Sequence, residues 1–267
     1  MAPGDRDYST ISPSAKALLI MKSETTIPFA REAAELIWGA EGVVRARASM
    51  NEEPLADLRR LHFEDRYRSV DALLEDEKAT RILEIAGGLS FRGLALASTR
   101  SEISYLDTDL PEIAGIKADL VAKLHPGALA GSLRVEPLDA LDAVALSRAA
   151  ASLPPGPLAI VNEGLLMYLG PEEKARLAAS IRQTLLARGG SWVTADVYVR
   201  REVPSGFRSE RAQQFFEKHR VEENKFAHWD EAESFFTRAG FSIRRRLSPS
   251  SDPRHIRESW VLDPARA

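Results

Sequence analysis

The spacing of apolar and polar positions along the chain changes near residue 80. Before that point apolar residues recur every three or four positions, which predicts amphipathic helices. The stretch from Pro28 to Gly39 illustrates the pattern: Phe29, Ala33 and Ile37 fall on one helical face, and proline suits a first helical turn. We therefore predict helices over 15–22 and 28–39 and a third within 53–77.

From Arg81 onward, short apolar runs bounded by turn residues alternate with helical patterns. Strands are predicted at 82–86, 103–106, 132–135, 158–161, 192–199, 241–247 and 259–262, and helices at 91–98, 111–124, 141–153, 170–189 and 230–239. The run from Leu158 to Val161 is wholly apolar, as in a strand that is covered on both faces. This alternation predicts an α/β fold with a mostly parallel sheet and helices on both faces.

One long segment interrupts the alternation. Residues 200–227 are rich in charge, and Phe215 and Phe216 indicate one amphipathic helix within them. We expect a single domain over 15–267, with a helical N-terminal cap at 15–80 and an insertion, or lid, at 200–229. Residues 1–14 are polar and contain two prolines, so we expect them to be disordered.

Composition narrows the class of protein. The 36 lysines and arginines against 39 aspartates and glutamates give a formal net charge of −3, which disfavours a nucleic-acid partner. The absence of cysteine excludes disulfides, thiolate nucleophiles and thiolate metal sites, and the five histidines lack metal-ligand spacing, so we expect no metal. No apolar run approaches the length of a membrane span, and the first residues lack a signal-like apolar core. We expect a cytoplasmic protein with no membrane partner; its oligomeric state stays open.

Acidic residues stand at the ends of four predicted strands. They are Glu84, Asp107 with Asp109, Asp139 and Glu163. In an open α/β sheet, ligands bind outside the carboxyl ends of the strands. Packing alone does not account for such a group, because buried carboxylates are costly unless they are paired or hydrogen-bonded. The pattern therefore predicts a ligand site at this edge of the sheet.

The turn after the first strand indicates which class of ligand this site would bind. Ala86-Gly87-Gly88 does not have the G-x-G-x-x-G spacing of a dinucleotide-binding turn. Nearby carboxylates would also repel a diphosphate, whereas they suit a cationic nucleoside. Asp107 and Asp109 lie about 20 residues beyond the turn, where an acid binds ribose hydroxyls. S-adenosylmethionine, with its adenosine, sulfonium and ammonium groups and no phosphate, fits this pattern.

Six segments in order carry a family resemblance. They are Ser14-Ala15-Lys16-Ala17, Arg66-Tyr67-Arg68-Ser69-Val70-Asp71, Leu83-Glu84-Ile85-Ala86-Gly87-Gly88, Tyr105-Leu106-Asp107-Thr108-Asp109-Leu110-Pro111-Glu112, Leu138-Asp139 and Asn162-Glu163-Gly164-Leu165-Leu166-Met167-Tyr168-Leu169. Through them the sequence resembles the leucine carboxyl methyltransferase family, and within it the bacterial polyketide O-methyltransferase-like branch, over roughly residues 14 to 200. The D-x-D-L-P-E and E-G-L-L-M-Y-L segments are the most specific.

The resemblance implies a Rossmann-like, class I S-adenosylmethionine-dependent methyltransferase whose seven-stranded sheet has an antiparallel last strand. It also implies cofactor contacts along the sheet edge. Lys16 and Arg66 would reach the methionine carboxylate, and the turn Ala86, Gly87 and Gly88 would lie along the methionyl part. Asp109, with Asp107 beside it, would bind the ribose, and Asp139 and Ala140 would flank the adenine. Glu163 would face the cofactor, and Glu84 is a further candidate for binding it. The family's G-x-G-x-D turn reads Ala86, Gly88 and Ser90 here, so the methyl group of Ala86 would narrow the methionine slot.

The acceptor is expected near Met167, Tyr168, Tyr198 and the 200–227 insertion. Methyl transfer is an in-line displacement that depends mainly on alignment and water exclusion. No residue stands out as a general base; His228 and Tyr198 are candidates from position only, and we expect that no single histidine is essential.

The first hypothesis is an O-methyltransferase that acts on a hydroxyl or carboxylate of a small molecule, such as a polyketide-like metabolite. The alternatives are a protein C-terminal carboxyl methyltransferase and a catalytically silent S-adenosylmethionine-binding subunit, the latter because of Ala86 and Ser90. A nicotinamide dehydrogenase is disfavoured by the glycine spacing.

Overall fold

The computed structural model describes residues 12–51, 56–201, 210–248 and 256–265. The helices of these residues are α1 (Ser12–Lys22), α2 (Ala30–Asn51), α3 (Ala56–Asp76), α4 (Arg92–Thr99), α5 (Pro111–Leu124), α6 (Ala143–Ala151), α7 (Pro171–Arg188), α8 (Glu210–Lys218), α9 (Val221–Asn224) and α10 (Trp229–Arg238). The strands are β1 (Arg81–Glu84), β2 (Ser104–Asp109), β3 (Ser132–Pro137), β4 (Leu158–Asn162), β5 (Gly190–Tyr198), β6 (Phe241–Leu247) and β7 (Arg257–Pro264).

The strands of the described residues form one seven-stranded sheet in the order β3-β2-β1-β4-β5-β7-β6. Strands β1 to β5 are parallel, whereas β7 runs antiparallel to both β5 and β6. The predicted α/β class and the antiparallel last strand are therefore confirmed. Because the first five strands are parallel, their carboxyl ends lie at one edge, where Glu84 pairs in register with Asp107 on one side and with Val161 on the other.

Helices cover both faces of the sheet, which explains why its central strands are buried along most of their length. Every residue of β4 is buried. One apolar cluster joins the sheet to α6, α7 and α10, and another joins it to α3 and α4. No helix within the described ranges is both long enough and apolar enough to cross a membrane.

The N-terminal helices pack onto α4 and α5 through a third apolar cluster, in which Leu19, Ile20 and Ala33 meet Phe91 and Ile113. This packing sets α1 above the turn that follows β1. The predicted end of the second helix at Gly39 agrees with the structure, where Gly39 has a non-helical backbone with φ 70° and ψ 158°. A further helical segment, which was not predicted, follows this kink and runs to Asn51, and its buried Val43 packs in the apolar cluster of the N-terminal helices.

Two predicted segments fall partly outside the described residues. Of the N-terminal 1–14, residues 1–11 lie outside, and α1 begins at Ser12. Of the insertion at 200–229, residues 202–209 lie outside, and the rest includes α8 and α9. The insertion returns to the sheet edge through a parallel bridge between Val199 and Phe226.

Candidate cofactor and acceptor site

The sheet order sets the candidate residues in a row along one edge. From β2 through β1 and β4 to β5, the row runs from Asp109 past the turn at 86–88 to Glu163 and then Tyr198. A ligand that lies along this edge would meet these groups in that sequence.

The turn after β1 is tied to the end of β2. Ala86 and Gly88 adopt left-handed φ angles of 53° and 54°, a conformation that costs a residue with a side chain about 1–2 kcal/mol. The Gly88 amide donates a 2.7 Å hydrogen bond to Asp109 Oδ2, and the Leu110 amide donates one of 2.7 Å to Oδ1. Ala86, Gly88 and Asp109 all remain partly exposed. They therefore present a carboxylate and a turn on an accessible surface.

Asp107 occupies a different environment from Asp109. Its side chain is buried beneath the turn and forms a 2.5 Å ion pair with Lys117 of α5. Burial raises the pKa of Asp107 to about 7, against the opposing effect of the Lys117 charge. Lys117 Nζ also lies 3.5 Å from the carbonyl oxygen of Gly87. Asp107 thus supports the turn from inside, and of these two acids Asp109 is the more accessible.

The two glycines of this turn make a matched pair of test positions. A Cβ on Gly87 would lie 2.5 Å from Asp107 Oδ1, whereas one on Gly88 would meet only Ala15 Cβ at 3.9 Å. We expect Gly87→Ala to lower the free energy of unfolding by about 1–3 kcal/mol through overpacking, and Gly88→Ala by about 1 kcal/mol through backbone strain alone. Urea denaturation of both variants measures the difference. A larger loss for Gly88→Ala would contradict the packing beneath the turn.

Glu163 lies at the centre of a buried ion network. Its side chain is 4% exposed; Oε1 accepts hydrogen bonds from Lys22 Nζ at 3.0 Å and from Arg66 Nε at 3.1 Å, and Oε2 accepts one from Arg92 Nη2 at 2.6 Å. Burial alone would raise the pKa of Glu163, but the three cations outweigh it and hold the pKa well below its ordinary value. The network joins α1, α3 and α4 to the end of β4.

Arg92 extends this network beneath the sheet edge. Its guanidinium also pairs with Asp71, donates a 3.0 Å hydrogen bond to the carbonyl oxygen of Tyr67, and lies over the Tyr67 ring at 3.9 Å. Glu84 is wholly buried, accepts a 2.7 Å hydrogen bond from Tyr105 and lies 3.7 Å from Arg92 Nε. Glu84 therefore contacts groups of the protein interior.

Asp196 of β5 shapes the segment that follows Glu163. This buried carboxylate accepts hydrogen bonds from the amides of Gly164, Leu165 at 2.6 Å and Leu166 at 3.2 Å, and from Asn162 Nδ2 at 2.5 Å. Successive backbone amides aimed at one carboxylate form a concave anion site. Asp196 thereby fixes the direction in which the chain leaves β4 beneath Met167 and Tyr168.

Tyr198 lies in the interior at the end of β5. Its hydroxyl is 2.9 Å from His62 Nε2 and accepts a 3.2 Å hydrogen bond from Arg66 Nη1. Arg66 therefore bridges Glu163 and Tyr198. Within the described residues, the remaining Arg66 nitrogen, Nη2, donates to no protein acceptor.

Tyr168 contacts the insertion and the N-terminal helix. Its ring meets Phe215 and His219 edge-on at 6.3 Å, and its hydroxyl hydrogen-bonds to Ser14. The neighbouring Met167 carbonyl accepts a 3.2 Å hydrogen bond from Asn224. The predicted acceptor residues thus lie where α1, α8 and α9 converge over the sheet edge.

The other predicted residues are more exposed or serve local structure. Lys16 is 40% exposed and lies 3.9 Å from Glu112. Asp139 is exposed and accepts a 2.9 Å hydrogen bond from the Leu141 amide, next to the buried Ala140. His228 is exposed and caps α10, where Nδ1 accepts a 3.1 Å hydrogen bond from the Glu231 amide.

Sequence reasoning missed several groups that the fold brings to this edge: Lys22, His62, Arg92, Lys117 and Asp196. Lys22, His62 and Lys117 lie on helices, where a charged residue ordinarily faces solvent. Arg92 follows the turn by four residues and Asp196 interrupts an apolar strand, so only these two carried a signal in the sequence. In the described ranges no group of three histidines and acids is arranged to hold a metal ion.

Comparisons with known proteins identify the fold. No family model matches the chain, and no curated protein matches it in sequence. The mitomycin 7-O-methyltransferase MmcR superposes with a TM-score of 0.53 at 15% identity, over 96% of this chain and 66% of that one. PigF with SAH superposes with a TM-score of 0.51 at 13% identity, over 96% of this chain and 70% of that one. The pyocyanin biosynthetic protein PhzM superposes with a TM-score of 0.50 at 14% identity, over 94% of this chain and 72% of that one.

The chain thus spans just under two thirds of the length of MmcR. At such identities the likeness establishes the fold alone. The strand order, the antiparallel β7 and these structures together define a class I S-adenosylmethionine-dependent methyltransferase fold.

Proposed function

We propose that the protein is an S-adenosylmethionine-dependent O-methyltransferase that acts on a hydroxyl or carboxylate of a small molecule, such as a polyketide-like metabolite. We also propose that it belongs to the polyketide O-methyltransferase-like branch of the leucine carboxyl methyltransferase family, as one domain with a helical cap and a lid. MmcR, a 7-O-methyltransferase, has the same fold, which supports the first of these proposals.

The accessible Asp109 carboxylate beside the glycine turn is the observation that carries the proposal. Each of its oxygens accepts one amide hydrogen bond and retains capacity for another, which suits the two hydroxyls of a ribose. Lys117, beneath the turn, forms an ion pair with Asp107. A diphosphate would meet the Asp109 carboxylate at this turn, whereas a sulfonium nucleoside suits it.

The residues present fit the rest of that cofactor as well. The uncommitted Nη2 of Arg66 would donate to the methionine carboxylate, with Lys16 as its second cation. Asp139 and Ala140 would flank the adenine at the end of β3. The cofactor, when bound, supplies an electrophilic methyl group; the chain's own residues hold it, orient the acceptor and exclude water.

Thermal unfolding with and without ligand tests this proposal. S-adenosylmethionine and S-adenosylhomocysteine should each raise the melting temperature, because a ligand at 100 times its Kd adds about 2.7 kcal/mol to the free energy of unfolding. NAD serves as the control and should produce no shift. A larger shift with NAD would refute the methyltransferase assignment.

Turnover separates an enzyme from a silent binding subunit. A panel of phenols, enols and carboxylic acids, assayed with labelled methyl donor, should include at least one acceptor that gains a methyl ether or ester. If the protein bound S-adenosylmethionine but methylated no acceptor of the panel, the catalytically silent subunit would be favoured. The observation that supports this alternative is the left-handed φ of 53° at Ala86. Methylation of peptide C-termini alone would favour the protein carboxyl methyltransferase.

A further inference from the structure

The Tyr198 hydroxyl has two polar neighbours on α3, and they differ in what they can do with a proton. Arg66 Nη1 lies 3.2 Å away and His62 Nε2 lies 2.9 Å away. A guanidinium can only donate, so Arg66 occupies a lone pair of the phenol oxygen. When the imidazole is neutral with Nε2 unprotonated, the phenol proton is donated to His62. The hydrogen bonds then run in one direction, from Arg66 through Tyr198 to His62.

Charged groups from several elements surround this pair. The charged and titratable groups that face Tyr198 and His62 are Arg66 of α3, Glu163 after β4, Tyr168 of the following turn, Asp196 of β5, Lys225 before α10 and Arg257 of β7. Three of these are cations and two are carboxylates. Asp196 is bonded to backbone amides, Glu163 to three cations that include Arg66, and Lys225 to Glu222. Of these groups, Arg66 donates a hydrogen bond directly to the phenol oxygen.

The sheet order sets this pair on the acceptor side of the proposed cofactor. With ribose at the end of β2 and the methionyl part along the turn after β1, the reactive methyl group would lie toward β4 and β5. Tyr198 ends β5, and Arg66 links it directly to Glu163 after β4. His62 is half-buried as a residue but its Nδ1 atom is buried, so the ring can hold a proton from Tyr198 and does not pass it directly to water.

We propose that Tyr198 and His62 form a proton relay that deprotonates a hydroxyl acceptor during methyl transfer. This inference rests on the proposed function, and it selects a hydroxyl over a carboxylate as the acceptor group. The acceptor oxygen forms a bond to the methyl carbon while the carbon–sulfur bond breaks, and that electron pair stays on sulfur. The acceptor proton passes to the Tyr198 oxygen, and the Tyr198 proton passes to His62 Nε2. Once the methylated product has left, a proton returns from His62 through Tyr198 to water that enters the site.

The relay replaces the sequence-based expectation that methyl transfer needs no base. A carboxylate acceptor is already ionised at neutral pH and would leave such a pair without a role. A phenol or enol gains from proton removal, and general base catalysis contributes about 10²- to 10⁴-fold. Of the two base candidates from sequence, Tyr198 has a proton acceptor at 2.9 Å, whereas the Nδ1 of His228 is committed to the cap of α10.

The test compares Tyr198→Phe and His62→Asn with wild type, on a hydroxyl acceptor found in the turnover panel. We expect each variant to lower kcat at least a hundredfold, with the KM for S-adenosylmethionine changed less than about threefold. Wild-type kcat should rise with pH through the range near pH 6.5 where an imidazole loses its proton, and both variants should lose that rise. His125→Asn is the matched control, because His125 follows α5 at the opposite edge of the sheet and should behave as wild type.

A second measurement does not depend on turnover. With ¹³Cζ-labelled tyrosine, the Tyr198 resonance is assigned by its absence in Tyr198→Phe among the five tyrosines of the chain. It should shift as His62 titrates, and His62→Asn should abolish that shift. The relay would be overturned if wild type methylated the acceptor and both variants kept its kcat and its pH profile. It would also be overturned if the Tyr198 resonance did not change when His62 titrates or is replaced. Either result would leave the methyltransferase assignment intact. Failure of wild type to bind S-adenosylmethionine would instead refute the proposed function.

Discussion

Replacing Glu163 by glutamine should lower the free energy of unfolding by about 3–5 kcal/mol, the largest effect on stability that we expect from one substitution. The substitution keeps the shape of the side chain but removes the carboxylate that Lys22, Arg66 and Arg92 share. Arg92 retains Asp71, whereas Lys22 and Arg66 lose the carboxylate with which they pair. Buried charges without a counter-ion account for the loss.

Urea denaturation at neutral pH measures this change. Glu41→Gln is the matched control, because it breaks the ion pair with Arg45 at the surface, where Glu41 is 92% exposed. Surface pairs contribute about 0–1 kcal/mol, so the control should be close to wild type. Equal losses in the two variants would show that the Glu163 network contributes no more than a surface pair.

The same network predicts a pH dependence of stability. The three cations hold the pKa of Glu163 below its ordinary value of 4.5, so the unfolded chain takes up a proton there before the folded chain does. The contribution of Glu163 is therefore fully present above about pH 4.5 and is lost as the pH falls further. Wild type and Glu163→Gln should converge in stability with acidification; a difference that grows instead would contradict the sign of the pKa shift.

Replacing Asp109 by asparagine should weaken S-adenosylmethionine binding about 10- to 150-fold, the equivalent of losing about 1.5–3 kcal/mol of hydrogen bonding to a charged group. One carboxylate oxygen becomes an amide nitrogen, which cannot accept from the Gly88 amide or from a ribose hydroxyl. Isothermal titration calorimetry of the folded variant gives the ratio of dissociation constants.

Asp142→Asn is the control for Asp109→Asn. Asp142 caps α6 through the amides of Val144 and Ala145, and asparagine caps a helix about as well as aspartate. Its Kd should equal that of wild type. If Asp109→Asn also bound with unchanged affinity, Asp109 would not be the ribose ligand.

The sequence already contained the order and type of the elements in the sheet. Apolar runs of four to six residues, each followed by turn residues, are local signals, and they placed β4 at Leu158–Asn162 and α5 at Pro111–Leu124 within one residue of the structure. The helical segment beyond Gly39 was not predicted. Its buried Val43 packs among the N-terminal helices, which is a tertiary contact and not a local signal.

Local residue patterns were enough to predict the α/β class, the glycine turn and the acids at the strand ends, because all of these depend on neighbours within a few positions. Which of the acids stay accessible depends on contacts between elements that are distant along the chain. Asp107 and Asp109 are two residues apart, yet Lys117 of α5 pairs with Asp107 alone. The pairing of His62 with Tyr198 spans 136 positions, and that of Lys22 with Glu163 spans 141. Packing of α1 and α3 over the sheet edge creates these contacts, and no local pattern of residues specifies such a distance.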